Sequence, residues 1–258
     1  MPQPPAADDG PFASGSGQRP CFFERDPGLA LWRRALAEGL GTFLLVLVIA
    51  ASFAGTCCLP QGPATMARAF AVAATLATLT IALGPASGGH FNPLITGCQW
   101  FEQRRGTADL IAYATAQLLG GAGGALAGAG LFGAVGWAPL GPAPALSLLV
   151  AGEVVGTGGM MAVVLAVSRT ATAHAGAFAA GAWMLASLLA IPSLPFANPA
   201  VTIASLVGAP LISVTPQAAA AHVAAQVAGA LMALALVGVA YPLRRRGPPP
   251  PWRAGPGC

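Results

Sequence analysis

Glu38 and Glu153 each stand inside a long apolar stretch, and each is followed by the same two partners, an Asn-Pro pair and then a glutamine. The separations are 54 residues from Glu38 to Asn92 and 25 on to Gln117; in the second series they are 45 from Glu153 to Asn198 and 28 on to Gln226. A carboxylate among apolar side chains is costly unless it is paired, hydrogen-bonded or set to hold an ion. An Asn-Pro pair suits the start of a helix, because the N–H that proline lacks is unpaired in a first turn anyway. An enzyme would need a nucleophile, a base or a metal set. The apolar stretches offer only the two glutamates and isolated histidines (His90, His174, His222), with neither HExxH nor GxSxG. No nucleotide-binding motif is present either, so no catalytic residue, metal or other cofactor is expected, and any transport would be passive.

The elements that must position these residues follow from composition. Hydrophobic residues make up 55% of the 258 and charged residues 8%, where a soluble domain carries about 25% charged residues to cover its surface. The chain must be dissolved in lipid. A spanning helix takes about 20 mostly apolar residues, and six segments qualify: 33–53, 65–84, 108–131, 147–168, 174–191 and 218–240. They are dense in alanine and glycine, as at 120–130, which allows close helix packing in lipid. Two apolar stretches, 91–100 and 197–209, are too short to span, and both carry the Asn-Pro pair at their start. They read as half-helices that enter the membrane and stop, which backbone can do only where protein or water satisfies it.

All 12 basic residues are arginines. With six spans both tails share a side, and Arg33, Arg34, Arg104, Arg105, Arg169 and Arg244 to Arg246 fall at span ends on that side, with Arg68 alone opposite. By the positive-inside rule both termini are cytoplasmic. The net charge of +4 is then a topology feature and implies no nucleic-acid partner. Residues 1–31 and 242–258 read as disordered cytoplasmic tails, the first without the pattern of a secretory signal. The membrane body is 32–241, in halves of about 32–131 and 147–241. Of five cysteines, Cys57 and Cys58 are the only cluster, for which a small buried or weakly reactive role is expected.

The halves repeat: AEGLGTFLLVL, SGGHFNPLITG and AYATAQLLGGAGGALAG correspond in order to AGEVVGTGGMMAV, PFANPAVTIA and AHVAAQVAGALMALA. Three spans per half turn the second upside down, giving an all-α membrane fold of six transmembrane helices and two re-entrant half-helices in an inverted repeat. On these motifs the chain resembles the major intrinsic protein family, the aquaporins and aquaglyceroporins, over nearly everything from 33 to 241.

The resemblance implies a passive channel for water and small neutral solutes, assembled as a homotetramer. Asn92-Pro93-Leu94 and Asn198-Pro199-Ala200 correspond to its two pore motifs. Two half-helix N-termini, each worth about half a positive charge, would meet near the midplane and oppose cations and protons. Glu38 and Glu153 would brace the re-entrant loops by accepting backbone N–H bonds, with His90, Gln117 and Gln226 in support. His174 and His222, near span ends, read as interfacial, with a pH gate as the alternative.

Two departures bear on the permeant. Leu94 stands where the family has alanine. Val201 stands where most members place an arginine, and the bases flanking it in sequence, Arg169 and Arg244, are too far along the chain to replace it. Counting from the asparagines puts the other constriction positions at Val72, at Ala186 or Ser187, and at Pro195. These are small to medium and uncharged, which predicts a wide filter open to glycerol-sized solutes, metalloid acids such as arsenite, and methylated arsenicals. The competing reading is a secondary carrier with a midplane site, since inverted repeats and broken helices also mark carriers. The absence of lysine amid much Ala, Gly and Arg suggests a GC-rich bacterial genome and hence an inner, plasma membrane.

Overall fold

Eight helices run through the computed structural model, which describes residues 24–26, 28–132, 145–170, 173–207 and 214–241. In chain order they are α1 (Leu31–Gly55), α2 (Gln61–Ser87), α3 (Pro93–Phe101), α4 (Thr107–Phe132), α5 (Leu146–Thr170), α6 (Ala173–Ala190), α7 (Pro199–Ala204) and α8 (Pro216–Ala240). α1, α2, α4, α5 and α8 are each long and apolar enough to cross a bilayer. α6, at 18 residues, is apolar but the shortest of the six helices expected to span. α3 and α7, with 9 and 6 residues, are far too short.

The packing has the symmetry of the sequence repeat. α1 packs on α4 and α2, as α5 packs on α8 and α6; α3 and α7 each touch both α4 and α8, more extensively α4, and α7 also touches α1; α2 against α6 and α3 against α7 join the halves. Exchanging the halves maps the long-helix pairings onto themselves, while the two short helices depart from the symmetry by both packing more on α4 than on α8. Glycine sets the closest approaches. A Cβ on Gly120 of α4 would lie 2.1 Å from the Gly39 carbonyl oxygen of α1, and one on Gly229 of α8 would lie 2.6 Å from that of Val154 of α5. Gly120 and Gly229 both stand three residues after their glutamine, so the contact itself is repeated.

Polarity runs inside out. Glu38, Glu153, Gln117, Gln226, His90 and Gln99 are among the largest fully buried side chains, whereas Leu119, Phe178, Leu236 and Val239 are exposed. Water would reverse this arrangement; hydrocarbon favours it, because only the interior can satisfy polar groups. The protein is a multi-pass membrane protein. Its ordered body reaches back at least to Glu24, inside the stretch expected to be a tail: Glu24 is buried, with Oε2 2.9 Å from Arg105 Nη2 and Oε1 3.8 Å from Arg34 Nη1. Asp109, at the start of α4, joins this cluster with Oδ1 2.9 Å from Arg34 Nη2. Residues 1–23 and 242–258 lie outside the described residues.

Candidate functional site

Each half-helix begins on its asparagine. Asn92 Oδ1 accepts from Leu94 N at 3.0 Å and Asn198 Oδ1 from Ala200 N at 2.9 Å, with Pro93 and Pro199 next in the first turn. The two caps are also tied to each other. Asn92 Nδ2 donates to the Ala197 carbonyl and Asn198 Nδ2 to the Phe91 carbonyl, both at 2.8 Å. Each asparagine therefore holds the residue that precedes the other, and the N-termini of α3 and α7 meet head to head. The acceptors Phe91 and Ala197 have φ of 47° and 52°, left-handed backbone that non-glycine residues adopt at a cost.

The glutamates secure that backbone. Glu38 Oε1 accepts from Ser87 Oγ (2.6 Å) and His90 N (2.9 Å), and Oε2 from Phe91 N (2.6 Å) and Gln117 Nε2 (2.8 Å). Glu153 Oε1 accepts from Phe196 N (2.7 Å) and lies 2.7 Å from His222 Nδ1; Oε2 accepts from Ala197 N and Gln226 Nε2, both at 3.0 Å. Gln117 and Gln226 also donate to Thr96 and Thr202 Oγ1 in α3 and α7, at 3.1 and 2.9 Å. One turn after each glutamate a glycine admits the loop: a Cβ on Gly41 would lie 2.1 Å from the Phe91 ring and one on Gly156 2.6 Å from Pro195 Cγ. His90 is buried, with Nδ1 3.0 Å from Thr96 Oγ1.

One expectation about side chains is corrected here and another narrowed, since the paired cysteines are not buried. His222 lies near the start of α8 but is not interfacial. It stands one turn before Gln226, on the face turned inward, and is buried against Glu153. Cys57 and Cys58 are exposed in the α1–α2 turn with sulfurs 3.5 Å apart, while Cys98 is buried. The side chain of His174 lies outside the described residues.

A cavity of about 100 Å³ extends from the paired asparagines past Val72, Pro195 and Val201 to Phe53 and Arg68. Its wall is mostly apolar, including Leu45, Ile49, Met160, Met184 and Leu188. Leu94 is half-buried and packs against the apolar core beside it. From α6 the cavity receives Met184 and Leu188; Ala186 is exposed on the outer face of the helix, and Ser187 is buried with its hydroxyl on the Met184 carbonyl at 3.0 Å. The count back from Asn198 that pointed to Ala186 or Ser187 crossed a turn closed by Leu194 N to Ile191 O at 3.0 Å, with Leu194 at φ 50°.

Sequence reasoning also missed Arg68. No basic residue is close to Val201 along the chain, but Arg68, one turn before Val72 on α2, lines the same cavity. It is 8% exposed, its Nε donates to Thr56 Oγ1 at 2.6 Å, and its guanidinium carbon lies 4.1 Å from the centre of the Phe53 ring. A clue was available: it is the one arginine that breaks the side preference of the others.

The match to the family model named Major intrinsic protein, over residues 28–175, decides the identity. The chain belongs to the major intrinsic protein family. It is 33% identical over 218 residues to the aquaglyceroporin AqpS of Rhizobium meliloti (strain 1021), covering 80% of this chain and 89% of that protein. It is 36% identical to aquaporin Z of Photorhabdus laumondii over 90 residues, 34% of this chain and 39% of that one. The fold matches the X-ray structure of the aquaglyceroporin from Plasmodium falciparum with a TM-score of 0.68 and 16% identity, over 81% of this chain and 96% of the other. Major intrinsic proteins are membrane channels rather than enzymes, and the eight helices above are this family's architecture.

Proposed function

We propose that this major intrinsic protein is a passive channel for water and for neutral solutes of glycerol size, including uncharged metalloid acids such as arsenite and methylated arsenicals. The observation that carries the reading is the cavity wall: Val72, Pro195 and Val201 line it beside the paired asparagines. Valine at 201, where the resembled proteins place an arginine, leaves more width and less polarity at that point. A wider, apolar constriction excludes large solutes less and offers a strongly hydrated one fewer replacement hydrogen bonds. That favours permeants larger than water, uncharged and partly apolar. Each asparagine amide has a second N–H beyond the one given to the facing loop, and with it Asn92 and Asn198 orient a passing oxygen. The relationship to AqpS, called an aquaglyceroporin, supports the solute class.

The channel is a homotetramer in the bacterial inner membrane with both termini cytoplasmic. The arginines support that orientation: Arg34, Arg104, Arg105 and Arg169 cluster near Glu24, Glu102 and Asp109, and Arg68 lies towards the opposite end of α2. The alternative is a secondary carrier. Uptake of labelled glycerol into proteoliposomes separates the two. Flux that rises linearly with concentration and ignores an imposed proton gradient is expected; saturation at low concentration, or dependence on the gradient, would establish a carrier.

A further inference from the structure

The unassigned charge of the cavity is Arg68. Arg68 belongs to a wall that is otherwise mostly apolar and that also includes Phe53, Val72 and Val201. The protein provides one hydroxyl acceptor, Thr56 Oγ1, and the face of the Phe53 ring. Nη1 is buried and has no hydrogen-bond partner among the described residues. A buried donor without an acceptor is costly, and arginine carries five N–H donors and a charge it does not lose. Among the described residues no acidic side chain lines the cavity to neutralise the charge.

We propose that Arg68 is the specificity-determining residue of the outer constriction, supplying from α2 the cation and donor that Val201 does not. Its charge repels cations and protons along the path, in addition to the half-helix dipoles. Its N–H groups bind the oxygen of a neutral solute as it leaves water. Because Arg68 is offset by one helical turn from Val72, it guards the mouth and leaves the Val72–Val201 level open. The wide passage and the barrier to charge are thereby separated in space. This inference rests on the channel reading above.

The test uses the full chain in liposomes loaded with a pH-sensitive dye, with potassium and proton leak and glycerol flux measured on one preparation. Arg68→Met keeps an unbranched apolar stem on Phe53. It should raise cation and proton leak at least tenfold while glycerol still permeates, and Arg68→Met combined with Val201→Arg should return the leak to the wild-type level. A purely structural role for Arg68 predicts no such rescue. Arg68→Lys is measured alongside, so that a methionine variant that fails to assemble does not stop the test. It should keep the leak low but change glycerol flux at least twofold, since it lacks the guanidinium fork. Glycerol flux in the wild type with no change in leak or flux in any Arg68 variant overturns this inference alone. No solute flux in the wild type overturns the channel reading and this inference with it.

Discussion

In the first half of the chain the buried carboxylate is completed by a serine hydroxyl, in the second by a histidine ring. Ser87 Oγ donates to Glu38 at 2.6 Å, and His222 Nδ1 lies 2.7 Å from Glu153. Ser87 and Ser193 occupy the same place, five residues before their asparagines, and Tyr113 and His222 the same place, four before their glutamines. The parts correspond, but their roles have moved. Ser87 is the last residue of α2 and faces Glu38. Ser193 lies in the turn around Leu194, and its hydroxyl is buried without a partner among the described residues. The vacated fourth bond to Glu153 falls to His222. In the first half Tyr113 is released to a different task, donating to the Ser87 carbonyl at 2.9 Å beside the Arg105 guanidinium. The invariant requirement is four donors on each carboxylate, two of them backbone N–H groups from the re-entrant loop. Which side chains provide the others follows from the loop's path.

Three experiments test whether the two halves are held in the same way, and the largest effect belongs to the carboxylates. Glu38→Gln and Glu153→Gln each replace an acceptor oxygen by an NH₂ facing donors, with a cost of about 3 to 5 kcal/mol by analogy with breaking a buried pair. Melting of the detergent-solubilised protein should fall by roughly 6 to 20 °C in both. A drop in only one would show that the halves are not held by the same device. Next come the corresponding aromatic positions. His222→Phe leaves Glu153 with three donors and should cost about 1 to 3 kcal/mol, whereas Tyr113→Phe should cost about 1, since Arg105 Nη2 still reaches the Ser87 carbonyl at 3.1 Å. Equal losses in parallel melts would contradict the exchange of roles. The smallest contrast is between the serines: Ser87→Ala should cost about 1 to 3 kcal/mol as a bond to a charged group is lost, and Ser193→Ala within about 0.5. A larger loss at Ser193 would mean that its hydroxyl is engaged after all.

The sequence carried the parts governed by short-range chemistry. Asn-Pro is a helix start wherever it lies, and Glu, Gln and Gly at fixed offsets on a helix share a face whatever the loops do. Those rules marked Asn92 and Asn198 as helix starts and Glu38 and Gln117 as the counterparts of Glu153 and Gln226; that the glutamates and glutamines would meet at the re-entrant loops came from the family resemblance. Positions counted across a loop did not transfer. Met184 and Leu188, rather than Ala186 or Ser187, line the cavity, and the count from Asn198 had to cross the turn around Leu194 to reach α6. His222 and Arg68 were misjudged for a second reason. Proximity to a span end suggested an interface for one, and separation from Val201 along the chain suggested irrelevance for the other. Both belong to the interior because α5 meets α8 and because α2 crosses to the second half, which are tertiary facts.

In the proposed channel residue 201 sets the width of the constriction, and stopped-flow light scattering on proteoliposomes tests this most directly. Water, glycerol and arsenite are compared for the wild type, Val201→Arg and empty liposomes. A wide constriction at the Val72–Val201 level predicts glycerol and arsenite flux well above empty liposomes, falling about tenfold in Val201→Arg while water flux falls less. Flux of water alone in the wild type, or solute flux unchanged by the arginine, would contradict it.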